Sequence, residues 1–377
     1  MRARVITQED AFVELKSRWD DLLRDSALDV PFHCWAWYEM CWRHFGRGQE
    51  LHMIAVEDAC GQLMAVAPLL RTTTRLRGFR VTELRFLSTG VSPRNAILHR
   101  NAEGGLPAMR TILDYLAQHA EQWDLATLTW VDENGPLASL LRESACHRGL
   151  DVLEKTGRRS PYIEIQGSFQ QYMRENFRKA RRQSIRRKVN RLLERDDYRL
   201  EEYTQCNDMP EAVSLAFDVW AASWKGAAGD IQHAEARKSF LLDAANYFAP
   251  LGQVRIWIAF LGDRPIAVYY TLTSSRQVYA LSTEFNKDYF DLSPGAVLLH
   301  EIIKTLHGEQ PCLFDFTGDL YEYKKPWATG VRRLVNFQLF NRRMYSRFLY
   351  ATKKTLLPML RQLRASVFRR PYTSSEN

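Results

Sequence analysis

The sequence predicts an α+β chain. It should hold two domains of like topology, each with a mixed, largely antiparallel sheet flanked by helices, followed by a basic amphipathic C-terminal helix. Three observations predict this. An apolar strand, a Gly-containing turn and a second apolar strand occur twice, at 51–69 and at 254–272, the pattern of a β-hairpin. Each hairpin is followed by the same order of strand, helix and strand. The chain has 377 residues, whereas single cores stop growing near 250–300 residues.

In chain order, the first copy opens with amphipathic helices over 8–24 and 33–45. After its hairpin come a strand at Asn95–His99, a helix at Leu106–Ala120 and a buried-looking strand at Leu125–Trp130. The second copy repeats this with helices over 208–224 and 234–248, strand Gln277–Thr283, helix Pro294–Leu306 and strand Cys312–Phe316. The expected organisation is therefore a first domain over 1–157, a second over 158–341 with an inserted basic helix at 168–195, and a basic tail over 342–377. In the insert, Phe169, Tyr172, Met173 and Phe177 share one helical face, as do Ile185, Val189, Leu192 and Leu193. The seven Lys/Arg at 178–188 should face solvent or an anion. In the tail Tyr345, Phe348, Leu349, Leu356, Leu360, Leu363 and Val367 form one apolar stripe, kinked by Pro358.

Composition narrows the classes. At 46% hydrophobic and 25% charged, the chain is a folded protein and not a disordered one. Six scattered cysteines without CxxC pairs fit reduced thiols of a cytoplasmic protein. No apolar run of bilayer-spanning length and no secretory signal is readable. The net charge is +8, but 174–195 alone carries +8 and 342–375 carries +9, leaving −9 for the rest. That asymmetry points to an anionic partner.

Hydrolase and metal motifs are missing. Cys34, Cys41 and His44 could share a helix face near His33, but one helix cannot supply four converging zinc ligands, so no metal is expected. The informative stretch is Asp291-Leu-Ser-Pro-Gly-Ala-Val297. Ser293 suits an N-cap, Pro294 suits the first helical position, and Gly295 leaves the backbone uncovered. The amides of Gly295, Ala296 and Val297 would then face outward at the positive end of a helix dipole, a cradle for phosphate or pyrophosphate. The alternative is a plain capped helix. The first copy has Ala102-Glu-Gly-Gly-Leu-Pro-Ala108 there, with a carboxylate where an anion would sit.

Strand, phosphate-binding helix start and strand together resemble the GNAT acyltransferase fold. Trp19, Pro31-Phe32, Trp37, the basic helix, Trp224-Lys-Gly226, Ile266-Ala267, Ser293-Pro-Gly295 and Asp315…Gly318…Tyr323-Lys324 resemble the CelD/BcsL-type group, tandem GNAT proteins similar to FemAB/FemX transferases. The resemblance implies acyl-CoA (acetyl-CoA) as donor, with its pyrophosphate on Ser293, Gly295, Ala296 and Val297. It also implies an active-site ammonium from Lys324; the plain alternative is a surface cation beside Lys325. Direct transfer needs a base and an acid: Asp315, Asp319 and Glu284 are the carboxylate candidates, Tyr321 and Tyr323 the acids. Asp315 and Asp319 could equally be turn formers. Ser92-Pro-Arg94-Asn95 could contribute to the cleft from the first-domain side, but the favoured reading is a strand-entry turn.

The expected function is acetyl or other acyl transfer to an amine or hydroxyl of a cell-envelope or exopolysaccharide-related acceptor, a saccharide being one candidate. The expected location is cytoplasmic, with 342–370 at an anionic inner-membrane surface. The alternatives are an aminoacyl-tRNA-dependent transferase and a non-catalytic membrane-associated accessory. Nucleic acid is disfavoured, because 178–188 offers no aromatic side chain to stack on a base.

Overall fold

The computed structural model describes residues 1–356 apart from 29, 77, 89–91, 102–103, 228–230 and 275. The first half runs β1 (Arg2–Ile6), α1 (Glu9–Glu14), α2 (Lys16–Arg24), α3 (Trp35–Phe45), β2 (Glu50–Leu51), β3 (Met53–Glu57), β4 (Leu63–Ala67), β5 (Leu69–Leu76), β6 (Phe79–Phe86), β7 (Leu98–His99), α4 (Gly105–Gln118), β8 (Leu125–Asp132) and α5 (Pro136–Ser144). Strand β9 (Asp151–Glu164) leads to α6 (Phe169–Asn176), α7 (Lys179–Leu193) and β10 (Tyr198–Tyr203). The second half continues with α8 (Met209–Ala221), α9 (Trp224–Ala227), α10 (Ile231–Phe248), β11 (Val254–Leu261), β12 (Arg264–Ser274), β13 (Gln277–Phe285), α11 (Pro294–Glu309), β14 (Leu313–Asp315), β15 (Gly330–Phe340) and α12 (Met344–Ala351).

Eleven strands form one sheet in the order β10-β11-β12-β13-β14-β9-β15-β8-β6-β5-β2, and β1-β3-β4-β7 form a second. Among the described residues, all pairings are antiparallel except two: β13 with β14 and β6 with β8. Each parallel pair is joined by a helix, α11 or α4, so each half contains one β-α-β crossover. The expected hairpins are β3–β4 and β11–β12. The strand equivalent to β13 in the first half is β6, not Asn95–His99, of which only Leu98–His99 is extended. Its Arg- and Thr-rich hairpin partner hid it, since 71–76 shows no apolar alternation. Where the second half has the single strand β12, the first has β4 and β5 separated at Pro68, a residue with no N–H to give a ladder.

The sequence boundary at 157 falls inside β9. This strand pairs with β14 through 162–164 and with β15 along most of its length, and β15 pairs in turn with β8. The last strand of the second half thus lies in the sheet of the first. A shared apolar core seals the junction: Trp19, Phe32, Trp37 and Tyr38 from the first half pack with Phe240, Phe248, Ile256 and Tyr270 from the second. Trp37 meets Phe240 edge to face at 4.9 Å between centroids, a geometry favoured by ring quadrupoles.

The expected basic helix over 168–195 is two helices. Phe177 is extended, so the chain breaks there and restarts at Arg178. Tyr172, Met173, Phe177, Ile185, Val189 and Leu192 are buried as their spacing requires, whereas Leu193 is exposed. Ser346 and Leu349 of α12 are buried; Phe348 packs edge to face on Phe79 and the Tyr345 hydroxyl donates to the Arg80 carbonyl at 2.7 Å. The start of the tail therefore docks on the first half. Pro358, Leu360, Leu363 and Val367 lie outside the described residues. Among the described residues, no helix is long and apolar enough to cross a membrane.

Candidate active site

Strands β13 and β14 pair over three residues, Gln277–Tyr279 with Leu313–Asp315, and then part. The last tie is the Thr317 hydroxyl, which donates to the Ala280 carbonyl at 2.5 Å. Beyond it, 281–285 of β13 have no partner on that side. A gap at the carboxyl ends of parallel strands is where open α/β sheets bind ligands. The α11 N-terminus, carrying Ser-Pro-Gly, belongs to the same crossover.

Lys324 lies in this gap. It is 4% exposed, against an exposed Lys325 that pairs with Glu322. Its ammonium donates to the Phe316 carbonyl at 3.2 Å and sits 5.5–5.7 Å from the ring centroids of Phe316, Tyr321 and Tyr323. A cation over ring faces is held electrostatically. A Cβ at Gly318 would come within 2.9 Å of the ammonium, so only glycine leaves it this place. Tyr321 and Tyr323 stack nearly parallel, 6.5 Å apart, and both are exposed on one side. The Tyr323 hydroxyl is 3.4 Å from Thr283 Oγ1 on the unpaired part of β13. Burial pushes the Tyr323 phenol up; the Thr283 contact opposes this, and the Glu284 charge reinforces it.

The two aspartates have different fates. Asp315 has no exposed surface. Its carboxylate accepts from Arg94 and Arg332, from the Ser160 hydroxyl at 3.1 Å and from the Thr317 amide at 2.7 Å. Burial alone would raise its pKa, but the two guanidiniums outweigh it and hold it below the usual carboxylate range. With four donors it has little left to offer a proton: it is a positioning group rather than a base. Exposed Asp319 accepts from the Arg159 and Leu320 amides at 3.1 and 2.8 Å, which is the turn-forming role. Glu284 is buried at the end of β13, within electrostatic reach of Tyr269, Tyr323 and Arg237. Along β13 it alternates with Thr283, so it faces the other side of the sheet from the Thr283–Tyr323 contact, though its charge still acts on Tyr323.

Sequence reasoning weighed Arg94 but favoured a plain turn there, and it missed Ser160 and Arg332, and with them Arg158, whose guanidinium stacks 3.4 Å above the Trp130 ring. Arg94 sits on the Ser92–Asn95 turn, and its partner is remote in sequence, so no local spacing pointed to it. Among the described residues, three of the five non-glycine residues with positive φ surround this region: Trp130, Ser293 and Thr317. Such strain concentrates at functional sites.

At α11 the expected cap differs. Ser293 is left-handed, with φ of 53°, and its side chain caps nothing; its carbonyl accepts from the Ala296 and Val297 amides at 3.0 and 3.2 Å. The following Pro294 disfavours the right-handed helical conformation at Ser293. Ala296 is exposed, Gly295 half-buried and Val297 buried. A Cβ at 295 would make only ordinary contact with Phe285 at 3.5 Å, so packing within the chain does not demand glycine there. No acidic residue occupies the first turn, and Arg191 of α7 donates to the Asp291 carbonyl at 3.3 Å beside it. The expected cradle is reduced: the Ala296 and Val297 amides are spent on the Ser293 carbonyl, and of the three only the Gly295 amide, with the positive end of the helix dipole, is left to meet an anion. The first-half counterpart begins α4 at Gly105, and residues 102–103 lie outside the described residues. Among the described residues, no three His, Cys, Asp or Glu converge as a metal site.

The comparisons agree with this geometry. Residues 179–325 match the family described as acetyltransferase (GNAT) domain. The fold is GNAT-like. The solved structure of FemX superposes with a TM-score of 0.56 at 12% identity, covering 90% of this chain and 97% of its own. A conserved protein of unknown function from Bacteroides thetaiotaomicron VPI-5482 gives 0.54 at 11%, covering 89% and 99%. L-PGS from Bacillus licheniformis gives 0.50 at 9%, covering 92% and 95%. No curated protein matches the chain. The GNAT match spans α7 to Lys325 and so contains β13, α11, β14 and the Tyr323–Lys324 pair.

Proposed function

We propose that this chain is an acyltransferase that moves an acetyl or other acyl group directly from acyl-CoA to an amine or hydroxyl. The observation that carries this is the parting of β13 and β14 beneath the Ser-Pro-Gly start of α11, with the buried Lys324 ammonium in the gap. The acceptor nitrogen or oxygen attacks the thioester carbonyl, the new C–N or C–O bond forms, and the C–S bond breaks. The acceptor loses one proton and the departing sulfur gains one. Glu284, whose charge reaches Tyr323, is the residue to accept the first proton, and Tyr323, its phenol held above the ordinary value, the one to give the second. Lys324 stabilises the negative charge that develops on the carbonyl oxygen.

The acceptor class is cell-envelope or exopolysaccharide material, and the cations of 342–370 hold the enzyme at an anionic inner-membrane surface. A second reading, an aminoacyl-tRNA donor, draws on α7: among the described residues no carboxylate pairs with Arg178, Lys179, Arg181, Arg182, Arg186, Arg187, Lys188 or Arg191. Polyphosphate backbones bind such arrays. Incubation with acetyl-CoA and a panel of amines and saccharides tests the first reading. Thiol release above the enzyme-free rate, with an acylated product by mass spectrometry, supports it. Transfer from aminoacyl-tRNA but not from acetyl-CoA would favour the second.

A further inference from the structure

Arg158, on β9, takes no part in the proton transfers above. It is half-buried, and its guanidinium stacks 3.4 Å above the Trp130 ring. Among the described residues its side chain makes no hydrogen bond and no ion pair. A guanidinium carries five donors in a planar fork and no acceptor, so the stacking satisfies its face and leaves its edge open. The Asp319 charge reaches it without pairing, because Asp319 Oδ1 accepts instead from the Arg159 and Leu320 amides. Burial pushes the Arg158 guanidinium below its ordinary pKa, with Tyr321 and Asp319 opposing.

The perch for this side chain is strained. Trp130 has a left-handed backbone with φ of 55°, rare for a bulky residue. Two asparagines fix it there: the Trp130 amide donates to Asn336 Oδ1 at 2.8 Å, and its carbonyl accepts from the Asn95 amide at 3.0 Å. Asn95 follows Arg94, whose guanidinium holds Asp315 at the end of β14. Strain held in place by its surroundings concentrates at ligand sites. Arg158 also neighbours the gap. Its charge acts on Tyr321, and the Tyr321 ring centroid is 5.5 Å from the Lys324 ammonium. Tyr321 and Tyr323 stack nearly parallel and both are exposed, so an open aromatic surface adjoins both cations.

We propose that Arg158 binds an oxyanion of the acceptor, and that the acceptor is a sugar bearing a carboxylate or a phosphate, its ring resting on Tyr321 and Tyr323. The planar fork of arginine matches either oxyanion with two parallel hydrogen bonds. Trp130 holds that fork flat before the ligand arrives, which lowers the ordering cost of binding. A sugar ring presents an apolar C–H face to an aromatic ring, and its hydroxyls or amine are the nucleophiles that acyl transfer requires near Lys324. The assignment of this sugar as acceptor rests on the acyltransferase reading; the binding itself does not.

The test uses the full-length protein with glucuronate, glucose 1-phosphate and glucose, read by saturation-transfer NMR and by tryptophan fluorescence. At least one charged sugar should bind about tenfold more tightly than glucose. Glucuronate alone marks a carboxylate site, and glucose 1-phosphate alone a phosphate site. Arg158→Met should abolish the preference, and Arg158→Lys, which keeps the charge and loses the fork, should fall between. A double variant on exposed α7, Arg186→Gln with Arg187→Gln, should retain the preference, which separates the site from general attraction to a basic protein. Melting temperatures confirm that the variants fold. Equal binding of all three probes, no charged sugar bound up to roughly 100 mM, or a preference that survives Arg158→Met or is lost in the α7 variant overturns the proposal. Acetyl-CoA is titrated into the same proteins. A charged-sugar preference without acetyl-CoA binding would sink the acyltransferase reading and leave the sugar site standing; the reverse result would sink the sugar site alone.

Discussion

The Arg94 guanidinium, on a turn of the first half, donates to the Asp315 carboxylate at the end of β14 in the second half, and Asp315 is fully buried. The pair joins the halves beside the gap that holds Lys324. Arg332 completes it at 2.7 Å from β15, the strand that joins the two halves within the eleven-stranded sheet. Removing one partner of a buried pair leaves an uncompensated charge, which costs about 3–5 kcal/mol. With Arg332 still in place, Arg94→Met should cost about 3 kcal/mol in denaturant unfolding. A loss under about 0.5 kcal/mol, the scale of an ordinary surface change, would mean that the pair does not tie the halves.

Lys324→Ala removes the ammonium from the gap. If Lys324 acts on the transition state and not on the bound substrate, kcat and kcat/KM should fall together, by about 10²-fold. Acetyl-CoA affinity should barely move. Normal turnover in that variant would end the role.

How much of this was legible in advance depended on whether the signal was local. The hairpins, α11 and the buried strands announce themselves by apolar runs and Gly-Pro punctuation, and Tyr323-Lys324 stands out as a motif. Arg94, Ser160 and Arg332 converge on Asp315 only because β9 and β15 cross between the halves, and nothing in 12 residues of sequence around any of them shows that crossing. Ser293 misled in part: it does occupy the N-cap position, but its left-handed backbone leaves the side chain capping nothing while its carbonyl accepts the first helical amides.

His33 gives a pH dependence. It is buried, and desolvation pushes its imidazole down to about 4, with the Leu28 carbonyl opposing. The fold keeps it neutral, while the unfolded chain takes up a proton below about 6.5. Stability from this group is therefore complete above pH 6.5 and falls as pH drops toward 4, by up to about 3 kcal/mol. Thermal unfolding between pH 7.5 and 4.5 should show a shallower loss in His33→Asn than in the natural chain. Parallel curves would exclude His33 as a source.

The tail is tested by vesicles. Because Ser346 and Leu349 are buried against the first half, the informative truncation ends at Leu356 and spares α12. The full chain should sediment with anionic liposomes, release above roughly 0.5 M salt as screening shortens, and lose binding on truncation. Binding that survives truncation would locate the membrane surface elsewhere, with the cations of α7 the next to replace.

The central claim is that acyl-CoA binds at the start of α11. Isothermal titration of acetyl-CoA into the natural protein and into Gly295→Glu measures it directly. A Cβ at 295 has room beside Phe285, so the variant should fold and melt as the natural protein does, while its carboxylate repels the pyrophosphate at the helix N-terminus. The account predicts saturable binding to the natural protein and none to the variant. Equal affinity in both proteins would contradict it.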